Sequence, residues 1–140
     1  MKVAAADALR IALPLLAARA LAPLVARWVP LPRALQFAVV KGPALDVEVA
    51  AEVVVGVEAL LRLFPKGGGT CLTRSLARAF ALRRAGVPVR FVLGVRTDAH
   101  GEAAGHSWLE LKGAPFLEAR VENLRAFQVV YVHDVDSGAR

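Results

Sequence analysis

Hydrophobic periodicity changes once along this chain, at Gly86-Val87-Pro88, and that change limits what it can fold into. Before it, apolar residues recur at helical spacing or in Ala/Leu-rich runs; after it, they alternate. Helices first, then one helix leading into an antiparallel sheet, is an α+β order. Gly86 suits the residue just past a helix C-terminus, and Pro88 prevents continuation.

The segments follow from that frame. Residues 3–28 read as an Ala/Leu-rich helix, bent or broken at Pro14 and Pro23. Pro30, Pro32 and Pro43 mark a connecting region. In residues 46–64, Asp46 is a fair N-cap, and Ala50, Val54, Val57, Leu61 and Phe64 fall at helical spacing. The cluster Val53-Val54-Val55 argues for strand, but length favours helix. Pro65 ends that element, Gly67-Gly68-Gly69 forms a flexible turn, and Thr70 caps a helix from about Cys71 to Ala85. Leu72, Leu76, Ala79, Phe80 and Arg83 share a stripe on it. Val89 to Val95 reads as a strand with Phe91 and Leu93 on one face and Val92 on the other. Residues 97–105 read as a polar loop and Ser107 to Lys112 as a strand. Lys112-Gly113 is a turn, residues 115–118 return, and Phe127 to Val132 is a last strand. The organisation expected is one domain over 1–140, with a helical part, 1–64, and a core, 65–135.

Composition narrows the class. The chain has 140 residues, 56% of them hydrophobic and 21% charged, which suits a packed domain and not a disordered one. Lys and Arg outnumber Asp and Glu by 18 to 12, a net charge of +6. No acid lies between Glu58 and Asp98, an interval that holds eight basic residues, Arg74, Arg78, Arg83, Arg84 and Arg96 among them. A positive field there would attract an acidic peptide or a nucleic acid, although arginines on solvated helix faces give the same count. Aromatics are only 6% and do not interleave with the basic residues, so nucleic-acid binding is not expected. Near the N-terminus, Ala18-Arg19-Ala20 resembles a signal-peptide cleavage site. Asp7, Arg10 and Pro14 break the order such a peptide needs, and Arg19 and Arg27 interrupt any long apolar run. An amphipathic helix is expected there instead of a spanning one. Its apolar character leaves three roles open: recruiting a partner, lying on a membrane surface, or covering the sheet.

The single cysteine excludes an internal disulfide and Cys-x-x-Cys chemistry. One Cys and scattered His do not make a metal site, and no cofactor is expected. Cys71 is either a buried apolar residue or a nucleophile. It follows a glycine run at the first turn of a helix, where partial positive charge and unpaired N–H groups favour a thiolate over a thiol. Those N–H groups, one from Cys71 itself, can also hold an oxyanion. His106 begins a strand and can serve as base toward the thiol and acid toward a leaving amine. A third group should orient the imidazole. Glu118 is best placed, since the Lys112-Gly113 turn brings the returning strand beside His106; Asp98 and Glu110 are weaker candidates. Trp108 is expected to pack in the core. Arg74 could meet an acidic substrate group, and His100 and His133 have no constellation around them.

One ordered series of motifs adds to this reading. Cys71-Leu72-Thr73-Arg74-Ser75-Leu76, then Leu82-Arg83-Arg84-Ala85-Gly86-Val87-Pro88-Val89, then Leu93-Gly94-Val95-Arg96, then His106-Ser107-Trp108-Leu109-Glu110 and Gly113 resembles the lasso-peptide biosynthesis B2 proteins, within the transglutaminase-like superfamily. The resemblance spans roughly residues 65–120. It implies a transglutaminase/papain-like core and a cytoplasmic cysteine protease, a leader peptidase that cuts the leader from a ribosomally made precursor peptide. The family's Cys, His and Asp map onto Cys71, His106 and Glu118, with Glu here where the family usually has Asp. Ser107 stands where Ala usually follows the His. No leader-binding domain is visible, so the resemblance implies a separate small partner protein that binds the leader, alongside a lasso cyclase. Two rivals stay open: an acyl transferase on the same fold, and a non-catalytic peptide-binding module.

Overall fold

The computed structural model describes residues 3–40, 42–64 and 69–135. Pro65, Gly67 and Gly68 of the expected turn lie outside the described residues. The fold is α+β, with helices on the N-terminal side and an antiparallel sheet after them. Four helices come first: α1 (Ala5–Trp28), α2 (Leu31–Gln36), α3 (Val47–Leu61) and α4 (Cys71–Arg84). The strands are β1 (Arg90–Thr97), β2 (Ala103–Leu111), β3 (Ala114–Phe116) and β4 (Gln128–His133), with a 3₁₀ helix, Val121–Ala126, before the last.

Helix α1 narrows one expectation, since neither proline breaks it, and corrects another. It runs unbroken through Pro14 and Pro23. Each proline removes one backbone donor, but Ile11, Leu15 and Ala22 are buried where α1 packs on α4 and α3, and that packing holds the helix together. Nor is α1 amphipathic. Leu9, Leu13, Leu16, Leu24 and Trp28 are exposed on the side opposite its buried residues. Its 24 residues are long and apolar enough to cross a membrane by length and composition, whereas the interruptions at Arg19 and Arg27 argue against a span.

Local caps set the next two helices. The Asp46 carboxylate accepts from the N–H groups of Glu48 and Val49 at 2.9 and 3.2 Å and starts α3, which buries Ala50, Val54 and Glu58. Helical burial at that spacing overrides the β-branched cluster. Thr70 starts α4 through a reciprocal capping box: Thr73 N–H donates to Thr70 Oγ1 at 3.2 Å, and Thr70 N–H to Thr73 Oγ1 at 3.0 Å. At the other end Gly86 has φ +84°, and a Cβ there would lie 2.6 Å from Ala44 Cα, so conformation and crowding both demand glycine.

The sheet order is β3-β2-β1-β4, antiparallel throughout. Phe91 and Leu93 face the helices with Leu109, while Val92 and Trp108 pack on the other face with Leu124 and Phe127. Strand β2 begins at Ala103, so the expected 97–105 loop shrinks to a short turn. Pairing of Thr97 with Ala103 and Arg96 with Ala104 supplies strand order that Ala and Gly do not signal on their own. His106 therefore sits inside β2, opposite Gly94, and not at its start.

Arg83 is not on a solvated face. It is fully buried, and its guanidinium donates to the carbonyls of Val89 at 2.8 Å and His133 at 2.9 Å. It also lies 3.1 Å from His133 Nδ1, which gives the buried His133 the constellation that the sequence did not reveal. Burial lowers the pKa of both groups, and the Arg83 charge lowers that of His133 further. His133 is thus neutral, with Nδ1 accepting.

Candidate active site

A cleft of about 700 Å³ lies where the N-terminus of α4 meets the sheet. Cys71, His106 and Glu118 all line it. Cys71 is the first residue of α4 and half-buried. The capping box occupies the N–H groups of Thr70 and Thr73, and Arg74 N–H donates to the Thr70 carbonyl. The N–H groups of Cys71 and Leu72 stand outside that network, at the positive end of the helix.

His106 Nε2 and Glu118 Oε2 are 2.9 Å apart. A carboxylate only accepts, so Nε2 carries a hydrogen, and in the neutral ring Nδ1 is the acceptor. Two aromatic rings fix the imidazole plane: Trp108 stacks on it at 5.9 Å and 22°, and Phe127 lies 5.4 Å away. Gly94 makes room for them, since a Cβ there would lie 2.9 Å from Phe127 Cβ and 3.1 Å from the Trp108 ring. Trp108 is buried, as expected, and it also supports the histidine.

The other two carboxylates are engaged elsewhere. Asp98 Oδ1 accepts from the N–H groups of His100 and Glu102 at 2.8 and 2.9 Å and closes the β1–β2 turn. Glu110 accepts from Trp108 Nε1 at 3.3 Å and pairs with Arg90. Among the described residues, no group of three or more His, Cys, Asp and Glu is placed to hold a metal.

Sequence reasoning missed the residues that hold this site together, and they lie on one face of α4. Cys71, Ser75 and Arg78 follow each other at i, i+4 and i+7. The Ser75 hydroxyl donates to the Ser107 carbonyl at 3.1 Å, tying the helix to the residue beside His106. Arg78 donates twice to the Glu58 carboxylate, at 2.5 and 2.6 Å, and once to the Leu117 carbonyl at 3.2 Å. Leu117 has φ +62°, so Arg78 grips a left-handed backbone position just before Glu118. Polar residues at helical spacing after a lone cysteine were the available signal.

The sequence profile of the transglutaminase-like superfamily matches residues 10–132, nearly the whole chain. The chain belongs to that superfamily. The matching profile is the one characteristic of lasso-peptide biosynthesis B2 proteins. No curated protein and no solved structure matches the chain. The span of this transglutaminase-like match contains Cys71, His106, Glu118 and the α4 residues that tie their elements together. It also takes in most of α1.

Proposed function

We propose that this protein is a cysteine peptidase that removes the leader from a ribosomally made precursor peptide in lasso-peptide maturation. The observation that carries the reading is the His106–Glu118 pair in the cleft that Cys71 also lines, in a chain of this family. His106 Nδ1 takes the Cys71 thiol proton, and the thiolate attacks the scissile carbonyl. The N–H groups of Cys71 and Leu72 receive the oxyanion. His106 returns the proton to the leaving amine and then draws one from water, whose oxygen attacks the thioester and frees the acid and the thiol. Glu118 keeps Nε2 protonated throughout, which holds the imidazole in the tautomer the reaction needs. Residues 65–135 form the catalytic part of a single domain. The protein acts in the cytoplasm with a separate leader-binding partner and passes the core to a lasso cyclase.

The test is incubation with the leader-binding partner and a precursor peptide, followed by mass spectrometry. Two fragments whose masses sum to the precursor plus one water support hydrolysis. A product joined to an added amine, without that water, assigns the chemistry to acyl transfer. An intact precursor together with a thiol inert to iodoacetamide overturns the enzyme reading in favour of a peptide-binding module.

A further inference from the structure

The cleft carries far more positive than negative charge. Arg62 beyond α3, Arg74 and Arg78 of α4, Arg96 of β1 and Arg120 before the 3₁₀ helix line it, against the carboxylates of Glu58 and Glu118. Both carboxylates are engaged, Glu58 by Arg78 and Glu118 by His106. Arg62, Arg74, Arg96 and Arg120 form no ion pair among the described residues. Arg62, Arg96 and Arg120 are exposed and Arg74 is half-buried. Like charges gathered on one concave surface repel each other, and a low-dielectric wall concentrates their field. Folding gains nothing from that arrangement, whereas an anionic ligand does.

We propose that the cleft recognises an acidic peptide segment, with Asp or Glu side chains close to the bond that is cut. Arg62, Arg74, Arg96 and Arg120 receive those carboxylates. The inference rests on the reading of this cleft as the peptide site. Guanidinium groups suit the task because their planar forks match carboxylate geometry. Arg96 is already braced, its guanidinium 5.1 Å from the Phe127 ring centre. A nucleic acid fits less well. Among the described residues of the lining, Phe127 is the one Phe, Tyr or Trp, and it is taken up by His106 and Arg96, which leaves no free platform on which bases stack.

The experiment measures binding apart from chemistry. Fluorescence anisotropy of the full chain carrying Cys71→Ala is followed with three short labelled peptides of equal length: Glu-rich, Gln-rich and Lys-rich. A single-stranded oligonucleotide of matched charge is the fourth probe. The Glu-rich peptide is expected to bind at least tenfold more tightly than the Lys-rich one at low salt, and to weaken at about 0.15 M salt. Arg62→Gln, Arg96→Gln and Arg120→Gln should each weaken it by roughly two- to fivefold, as exposed charge pairs do. Arg27→Gln/Arg33→Gln, outside the cleft, removes two of the chain's charges and should leave the affinity within twofold. Equal weakening by that control assigns the preference to net charge and overturns the proposal. Indifference to peptide charge, or tighter binding of the oligonucleotide through the same arginines, overturns it too. An acidic preference without cleavage of any precursor would sink the peptidase reading alone; cleavage without the preference would sink this inference alone.

Discussion

Ser75 and Ser107 are joined by a buried hydrogen bond, hydroxyl to carbonyl, of 3.1 Å. Ser75 stands one turn after Cys71, and Ser107 follows His106, so this bond couples the helix that carries the thiol to the strand that carries the imidazole. Ser75→Ala leaves a buried carbonyl with one partner fewer and should cost about 1 kcal/mol of stability. If the bond also sets the spacing of the site, iodoacetamide alkylation of Cys71 should slow at temperatures where the variant is fully folded. Thermal unfolding and alkylation rates check the two parts separately.

Cys71→Ala should abolish precursor cleavage while leaving the melting temperature near that of the wild type, because the half-buried thiol makes no hydrogen bond among the described residues. His106→Ala should lower cleavage by roughly 10²–10⁴-fold, the range for a lost acid–base group. Glu118→Ala should cost less, because an orienting group acts through another residue. Steady-state cleavage of one precursor by the three variants, with residual cleavage after Cys71→Ala as the outcome that removes the mechanism, is the measurement.

Arg78 and Glu58 form a largely buried pair whose guanidinium also holds the Leu117 carbonyl. Glu58→Gln strands a buried charge and should destabilise the fold by about 3–5 kcal/mol. The double variant Glu58→Gln/Arg78→Met should recover much of that loss, since neither charge is then left alone. Cleavage should not recover with it, because Leu117 and Glu118 have lost their grip on α4. Urea unfolding with cleavage assays on the wild type and these two variants separates the effects; full recovery of both would make the latch merely structural.

Local signals were legible in the sequence and distant pairings were not. Asp46 and Thr70 read as caps, and Lys112-Gly113 as a turn, because each acts on backbone a few residues away. Glu118 could be placed beside His106 because one tight turn joins β2 to the returning β3, although that strand ends at Phe116 and Glu118 follows it by two residues. Arg78 to Leu117 and Arg83 to His133 cross long stretches of chain, and no periodicity announces them. An arginine late in a helix reads as a solvated charge, so the complete burial of Arg83 stayed hidden. Alternation gave the faces of β1 correctly, but Ala103-Ala104-Gly105 lacks strand character, and only pairing with β1 makes it strand.

Ser107 follows His106 in β2. Its hydroxyl is buried with no hydrogen-bond partner among the described residues. Desolvating a hydroxyl without a partner costs about 1–3 kcal/mol. Ser107→Ala should therefore raise stability, and leave the Ser75 bond intact because that bond uses the Ser107 backbone. Loss of stability in denaturant unfolding would reveal a partner for the hydroxyl.

His133 makes stability depend on pH. Burial and the adjacent Arg83 hold its pKa below the ordinary 6.5, so the folded state keeps the ring neutral where the unfolded chain protonates it. The groups that face it from the packed elements are Arg83 and Asp134, and Asp134 only partly offsets the lowering. The unfolded state therefore binds more protons below 6.5, and the stability tied to a neutral His133 is complete above 6.5 and lost as pH falls toward the folded value. Melting temperatures between pH 7.5 and pH 5 should drop further for the wild type than for His133→Asn, whose amide oxygen can accept from Arg83 without titrating. Equal drops would mean that carboxylates, and not His133, govern the acid sensitivity.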